Sequence, residues 1–218
     1  MQPPQCPGVT LISLSMSQYF DEKAVEWDAD ERRRQLSSAI GSSILVHVPL
    51  DDRMDVLDFG AGTGLISAYV APRVNKIVAV DTSEAMLAAL AAKQELSGKV
   101  ETVCADITKS PLGKRFDLVI SAMAMHHVPD TAELIQSFAD HLNPCGRLAL
   151  ADLDTEDGSF HPDEAAGVFH LGFDRGELQG VLEMCGFGDI HFFTAHTVIK
   201  DEKRYPVFLV TATISQIA

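Results

Sequence analysis

The segment VLDFGAGTG, residues 56–64, constrains the fold of this chain more than any other feature. An apolar run ends there in three alternate glycines, Gly60, Gly62 and Gly64. Glycine adopts left-handed backbone conformations without steric cost and lets the main chain approach a ligand closely. The segment therefore predicts a strand that turns sharply at a binding site and continues into a helix.

Short apolar runs alternate with helical patterns through the rest of the core. The runs cover residues 55–60, 76–81, 99–106, 116–121 and 146–154. Strands that alternate with helices form a parallel sheet with helices on both faces, so we predict an α/β, Rossmann-like, doubly wound fold. The last two runs, 187–199 and 205–214, have no helix between them and predict a C-terminal antiparallel hairpin at one sheet edge.

The length of 218 residues fits one large domain. We expect a flexible N-terminal segment (1–16), because prolines there disfavour a helix, and a single domain from 17 to 218. That domain is divided into N-terminal cap helices (17–50), a ligand-binding core (51–154), a predicted substrate lid (155–175), and a C-terminal helix with the hairpin (176–218).

Composition argues against several classes of protein. Acidic residues outnumber basic ones 31 to 17, which argues against a nucleic-acid partner. No apolar run reaches the roughly 20 residues that a membrane-spanning helix needs, and the N-terminus lacks the basic region of a signal peptide. The four cysteines form no CxxC pair, so we expect reduced thiols and a cytoplasmic location.

The glycine spacing indicates which ligand the turn serves. A dinucleotide site has the pattern GxGxxG, but Leu65 stands where its third glycine would be. Asp58 precedes the first glycine, and a carboxylate there is a poor neighbour for a diphosphate and a good partner for an ammonium group. The turn therefore favours a ligand with a free amino acid moiety over NAD, and an NAD-dependent oxidoreductase is the less favoured alternative.

Three further positions fit an adenosyl ligand. Asp81, which ends the second strand, can accept hydrogen bonds from both ribose hydroxyls, although the same carboxylate would serve NAD. Asp106 can accept a hydrogen bond from an adenine amino group, with the Ile107 backbone beside it. Met86 lies one turn into the next helix and can pack on the purine face.

The segments VLDFGAGTG, VAVDTSEAM, CADIT and FDLVISAMAMHHVPD resemble the successive motifs of class I S-adenosylmethionine-dependent methyltransferases. The resemblance is to the group that contains the type-11 and the ubiquinone/menaquinone C-methyltransferases, and it covers residues 54–154 well. It implies S-adenosylmethionine as cofactor, S-adenosylhomocysteine as product, and a seven-stranded sheet whose last strand is inserted antiparallel. It also implies cofactor contacts at Asp58, Gly60, Gly62, Asp81, Thr82, Met86, Asp106, Ile107 and Ser121.

The catalytic residues are less constrained, because methyl transfer depends mainly on proximity and orientation. His126 or His127 in AMAMHHVPD is a candidate general base, since neutral imidazole is available near pH 7. The alternative is that both histidines only shape the loop or line the pocket.

The segment 151–174 is acidic and contains histidines among phenylalanines. We interpret it as a substrate lid, with Asp154, His161 and His170 as candidate pocket residues; a solvated connector is the alternative. The calcium-loop motif fails, because glycine at the sixth position and glutamate at the twelfth are both absent. We therefore predict no metal.

The N-terminal helices form the third possible wall of the acceptor pocket. Tyr19 and Phe20 are expected to cover the site, whereas Trp27 is interpreted mainly as an anchor between helix and sheet. The basic run Arg32–Arg34 is interpreted as a solvated helix face, with contact to an acidic substrate as the alternative.

The sequence therefore predicts a methyltransferase that acts on a small molecule, with no membrane partner and an unlikely nucleic-acid partner. The alternatives are a protein or tRNA methyltransferase and a non-catalytic S-adenosylmethionine-binding module. The acceptor, the methylated atom and the oligomeric state stay open.

Overall fold

A computed structural model describes residues 11–161 and 167–215, with side chains described from residue 17 onward. Helix α1 spans Leu11–Lys23, so the helix predicted from residue 17 extends further toward the N-terminus. Residues 1–10 of the predicted flexible segment lie outside the described part, as do residues 162–166 of the predicted lid.

Seven strands form one sheet, in the order β3-β2-β1-β4-β5-β7-β6. The pairs among β1 to β5 are parallel, and β7 pairs antiparallel with both β5 and β6. The predicted α/β fold, its seven strands and its C-terminal hairpin are thereby confirmed. The strands are β1 (Asp55–Phe59), β2 (Lys76–Asp81), β3 (Val100–Cys104), β4 (Phe116–Ala122), β5 (Leu142–Leu153), β6 (Phe187–Lys200) and β7 (Lys203–Ile214).

Helices cover both faces of the sheet and supply two apolar cores. On one face α5 and α6 contribute side chains such as Phe138 and Leu182. On the other face α2 and α3 contribute side chains such as Ile44 and Val70. The remaining helices are α2 (Glu31–His47), α3 (Ser67–Val70), α4 (Glu84–Ala91), α5 (Thr131–Asp140) and α6 (Arg175–Met184), with short 3₁₀ segments that include Ala24–Ala29 and Met125–His127.

Side-chain caps fix where the helices beside the site begin. Asp30 accepts a hydrogen bond from the Arg32 backbone N–H, and Ser83 accepts one from the Met86 N–H. Such a cap satisfies a backbone donor that the helix itself leaves unpaired. One cap follows strand β2 and the other precedes helix α2. The two caps therefore fix the residues at which α4 and α2 begin.

The thiols of Cys145 and Cys185 are free in the part of the chain that the structure describes. Within residues 11–161 and 167–215, no helix is both long enough and apolar enough to cross a membrane.

Candidate functional site

A cavity of about 540 Å³ opens at the carboxyl ends of β1, β2, β3 and β4. In a doubly wound sheet this edge is where ligands bind, because the strand order reverses there and leaves a crevice. Most of the predicted site residues line this cavity: Phe20, Asp58, Gly60, Gly62, Asp81, Thr82, Met86, Asp106 and His127.

The three glycines of the turn have different roles. All have positive φ, at +65° for Gly60, +53° for Gly62 and +79° for Gly64, a conformation that favours glycine. A Cβ atom on Gly60 or Gly64 would meet Ala124 or Leu90 at 2.3 and 2.7 Å, so these two glycines allow close packing. A Cβ on Gly62 would meet no protein atom within 4 Å, so at Gly62 the backbone faces space that a ligand can fill.

Asp81 connects the turn after β1 to the turn after β2. Its carboxylate accepts hydrogen bonds from the Gly62 N–H at 2.8 Å and from the Ser83 N–H at 2.9 Å. Burial raises the pKa of Asp81, and these two N–H groups oppose the rise. The carboxylate is thus held at the cavity wall by backbone donors on both sides.

Asp58 is buried beneath the glycine turn, with 2% of its surface exposed. Ser67 donates a hydrogen bond to its carboxylate at 2.6 Å. Burial raises the pKa of Asp58 to about 7, the Ser67 hydrogen bond opposes the rise, and the charge of Asp81 adds to it. An ionisable group of this kind can respond to a cationic ligand in the cavity, because a positive charge would favour its ionised form.

The remaining predicted cofactor residues fall into two groups. Asp106 lines the cavity and pairs with Lys109; burial acts to raise its pKa, but hydrogen bonds from Lys109 and Thr108 lower it overall. The side chain of Ile107 is instead buried in the core, and Ser121 is fully buried without a hydrogen-bond partner for its Oγ. Neither Ile107 nor Ser121 is among the residues that line the cavity.

Helix α1 is fastened over the edge of the cavity. Ser17 donates to the backbone carbonyl of Thr82 at 3.0 Å, and Asp21 accepts from the Ser83 hydroxyl at 2.6 Å. The ring of Phe20, which lines the cavity, lies edge-on to the ring of His127 at 5.2 Å. Tyr19 packs against Phe20 at 5.4 Å and is not a lining residue itself.

His126 and His127 have distinct surroundings although they are adjacent. His126 is buried, and its Nδ1 lies 2.7 Å from the carboxylate of Asp152, which also accepts from the His126 backbone N–H at 3.2 Å. Burial acts to raise the pKa of Asp152, but the contact with His126 lowers it. This pair anchors the 3₁₀ turn to β5, which leaves His127 as the histidine on the cavity wall.

The His127 ring is oriented by the carbonyl of Gly167, 2.8 Å from its Nδ1. Nδ1 therefore carries the proton and donates a hydrogen bond to that carbonyl. The lone pair of the neutral ring is then on Nε2. Burial lowers the pKa of His127 to about 4, and the neighbouring His126 acts in the same direction. His127 is thus neutral at pH 7 and has the protonation state that a general base requires.

The three residues predicted for the substrate lid do not converge on the cavity. Asp154 forms a bidentate ion pair with Arg175, at 2.7 and 2.9 Å, and His170 Nε2 lies 2.9 Å from the carbonyl of Val128. The His161 ring packs 4.8 Å from that of His126. Burial lowers the pKa of His161 to about 4. In the described ranges no group of three His, Cys, Asp or Glu residues is arranged to hold a metal ion.

Several lining residues were not predicted as site residues from the sequence. Trp27 and Arg33 come from the N-terminal helical segments, and Phe169 comes from the lid segment. Met123, directly after β4, has φ +56°, which is unusual for a residue with a side chain. Of these, the sequence indicated Trp27 mainly as an anchor between helix and sheet, and Arg33 as part of a solvated run with contact to an acidic substrate as the alternative.

The sequence of this chain is similar to those of a known protein family and of several curated proteins. The family described as "Methyltransferase domain" matches residues 56–146. An uncharacterized methyltransferase of Schizosaccharomyces pombe is 37% identical over 135 residues, 55% of this chain and 48% of the relative. Trans-aconitate 2-methyltransferase of Azoarcus sp. is 36% identical, over 56% of this chain and 46% of the relative. The chain thus spans about half the length of these two curated relatives.

A longer match is to the cypemycin N-terminal methyltransferase of a Streptomyces species. It is 30% identical over 168 residues, which cover 74% of this chain and 68% of that relative. Among solved structures, DhpI in complex with SAH superposes with a TM-score of 0.75 at 20% identity, covering 94% of this chain and 98% of that one. At that identity the structural likeness shows the fold.

The raised pKa of Asp58 makes a testable prediction about stability. Its folded value of about 7 lies above the ordinary value of 3.8, so the folded protein holds the proton more tightly than the unfolded chain does. Relative to Asp58→Asn, the free energy of unfolding of the wild type should fall as pH rises from about 4 to about 7, by up to ~1.4 kcal/mol per pH unit. Urea unfolding across that range measures the difference.

The matched control is Asp140→Asn, which changes an exposed aspartate at the end of α5. The difference in free energy of unfolding between the wild type and Asp140→Asn should not change comparably over this pH range. A flat difference between wild type and Asp58→Asn over the same pH range would contradict the assignment.

Proposed function

Because this chain belongs to the class I S-adenosylmethionine-dependent methyltransferases, we propose that it methylates a small molecule in the cavity described above. The observation that carries the proposal is the juxtaposition of Gly62 and Asp81. The first offers open backbone to a ligand, and the second offers a carboxylate held by two N–H groups at the same wall.

The described residues fit this cofactor. Asp81 has the acceptor oxygens that ribose hydroxyls need, and Asp106 lies on the same wall as an acceptor for an amino group. Met86, buried on α4 and lining the cavity, supplies an apolar surface for a purine. Asp58 below the turn supplies negative charge for a cationic ligand. Gly60 and Thr82 complete this side of the cavity.

When bound, S-adenosylmethionine supplies a methyl group on a sulfonium sulfur, which becomes a neutral thioether as the acceptor atom forms its bond to the methyl carbon. The protein's contribution is to hold the acceptor in line and to exclude water. Phe20 and α1 cover the cavity edge, and the apolar wall includes Leu65 and Met123. His127 Nε2 takes the proton that the acceptor loses, if the acceptor atom carries one.

A small acceptor is supported by the size of the cavity. The cavity of about 540 Å³ would have to hold the cofactor and the acceptor together, and it lies within the range of roughly 300–1,000 Å³ that single small-molecule sites occupy. The relative named for trans-aconitate supports the same class of acceptor. The acidic composition, with 31 acidic and 17 basic residues, argues against tRNA.

A second candidate is methylation of a peptide N-terminus. It is favoured by the relative named as an N-terminal methyltransferase, whose match covers 74% of this chain. An extended peptide end could enter the cavity as a small molecule does, and its neutral terminal amine has the lone pair that would attack the methyl carbon. The acceptor class is therefore the quantity to measure first.

The experiment that tests the proposal follows a radiolabelled methyl group. Purified protein is incubated with labelled S-adenosylmethionine and an extract of the source cells, which is then separated by size. Label in the small-molecule fraction is the expected result. Label in protein or RNA would contradict the proposal of a small-molecule acceptor. The absence of label despite cofactor binding would contradict the proposal that the protein is catalytic.

Asp81→Ala should weaken the binding of S-adenosylhomocysteine by ~1.5–3 kcal/mol, the range for hydrogen bonds to a charged group. Isothermal titration calorimetry measures the loss. Glu101→Ala is the control, because it removes an exposed carboxylate on β3 outside the cavity. Unchanged affinity in a folded Asp81→Ala variant would remove Asp81 from the cofactor site.

His127→Ala should lower kcat by ~10²-fold or more if His127 is the general base. The rate is measured with the labelled fraction as acceptor, and S-adenosylhomocysteine affinity is measured in parallel. His191→Ala, an exposed histidine on β6, is the control. A rate near that of the wild type would leave His127 as a residue that only shapes the loop.

A further inference from the structure

We infer that the acceptor carries a carboxylate, and that Arg33 on α2 binds it at the Trp27 side of the cavity. This inference deepens the proposed function and rests on it. It names the substrate class and a residue that selects it, neither of which follows from the methyl-transfer chemistry.

The guanidinium of Arg33 is held by stacking. Its Cζ lies 3.8 Å from the centroid of the Trp27 ring, and both residues line the cavity. A guanidinium held over an indole ring by a cation–π contact loses part of its freedom of movement and keeps its N–H donors for other partners. Those donors match the two oxygens of a carboxylate.

Arg33 also has donor capacity left over. Among the lining residues the cationic side chains are Arg33 and Lys109, and Lys109 is paired with Asp106. The ion-pair partner of Arg33 among the described residues, Asp30, lies at 4.0 Å from Nε, longer than a hydrogen bond. A guanidinium has five N–H donors, so Arg33 can accommodate an anionic ligand without losing a strong partner.

The surroundings of Arg33 favour a specific role. The nearby wall formed by α1 and α2 is mostly apolar, with Phe20, Leu36 and Ile40. The Arg33 side chain is about one-third exposed, at 34%, so it is partly shielded from water. A charge-assisted hydrogen bond is stronger in such a place than on an open surface.

The flanking arginines differ from Arg33 and provide matched controls. Arg34 donates to the backbone carbonyls of Asp28 and Ala29, at 2.7 and 3.1 Å, so it stabilises the turn before α2. Arg32 is exposed and does not line the cavity. Arg32→Gln therefore changes the net charge as Arg33→Gln does, on the same helix, without touching the proposed site.

The test uses Trp27 as a built-in reporter. Trp27 is the single tryptophan of the chain, so its fluorescence reports on the Arg33 guanidinium that stacks on it. With the protein saturated by S-adenosylhomocysteine, benzoate, phenylacetate and succinate are titrated, each beside its amide. At least one acid should bind wild type about tenfold or more tightly than its amide, because the amide lacks the charge.

The variants then assign that preference to one residue. Arg33→Gln should lose the preference by about tenfold or more, Arg33→Lys should retain part of it, and Arg32→Gln should stay within about twofold of wild type. Calorimetric titration of the same ligands repeats the Arg33 comparison without relying on fluorescence. Thermal unfolding of each variant confirms that it is folded.

Two results would overturn the inference. One is a wild type that binds no acid more tightly than its amide; the other is an Arg33→Gln variant with the same affinities as Arg32→Gln. Both are distinguishable from failure of the proposed function, because the labelled-methyl assay is run on the same protein. Label in protein or RNA, or no label at all, would contradict the proposed function itself.

Discussion

The cavity depends on the hydrogen bonds that the Asp81 carboxylate accepts from the backbone of Gly62 and Ser83. These bonds join the turn after β1 to the turn after β2. Ser83 in turn donates to Asp21, so the same chain of polar contacts fastens α1 over the cavity. Burial raises the pKa of Asp81. The two N–H groups oppose that rise, because their hydrogen bonds stabilise the ionised carboxylate.

A second part of the cavity wall has a different origin. It comes from the N-terminal helical segments, which add Phe20, Trp27 and Arg33 to the cavity lining. Doubly wound proteins share the sheet edge as a binding position, whereas the segments that cover it differ from one protein to the next. Under the proposed function, the core thus holds the cofactor and the cover selects the acceptor.

The histidine pair shows how burial separates the roles of two identical side chains. Asp152 on β5 holds both the ring and the backbone of His126, which anchors the 3₁₀ turn. His127 is then directed to the cavity, and the Gly167 carbonyl fixes which of its nitrogens carries the proton. Burial lowers the pKa of His127, so the fold, and not the histidine alone, sets how strongly this ring holds a proton.

The sequence by itself determined the alternation of strands and helices, the C-terminal hairpin, and the cavity residues Asp58, Gly62 and Asp81. These follow from periodicity, from a turn that favours glycine, and from carboxylates placed at strand ends, all of which are local features. Tertiary structure decided the rest. It buried Ile107 and Ser121 away from the cavity, paired Asp154 with Arg175, and placed Arg33 on Trp27 at the cavity wall. Such placements depend on contacts between residues distant in the sequence or on how whole helices dock, and no local pattern encodes them.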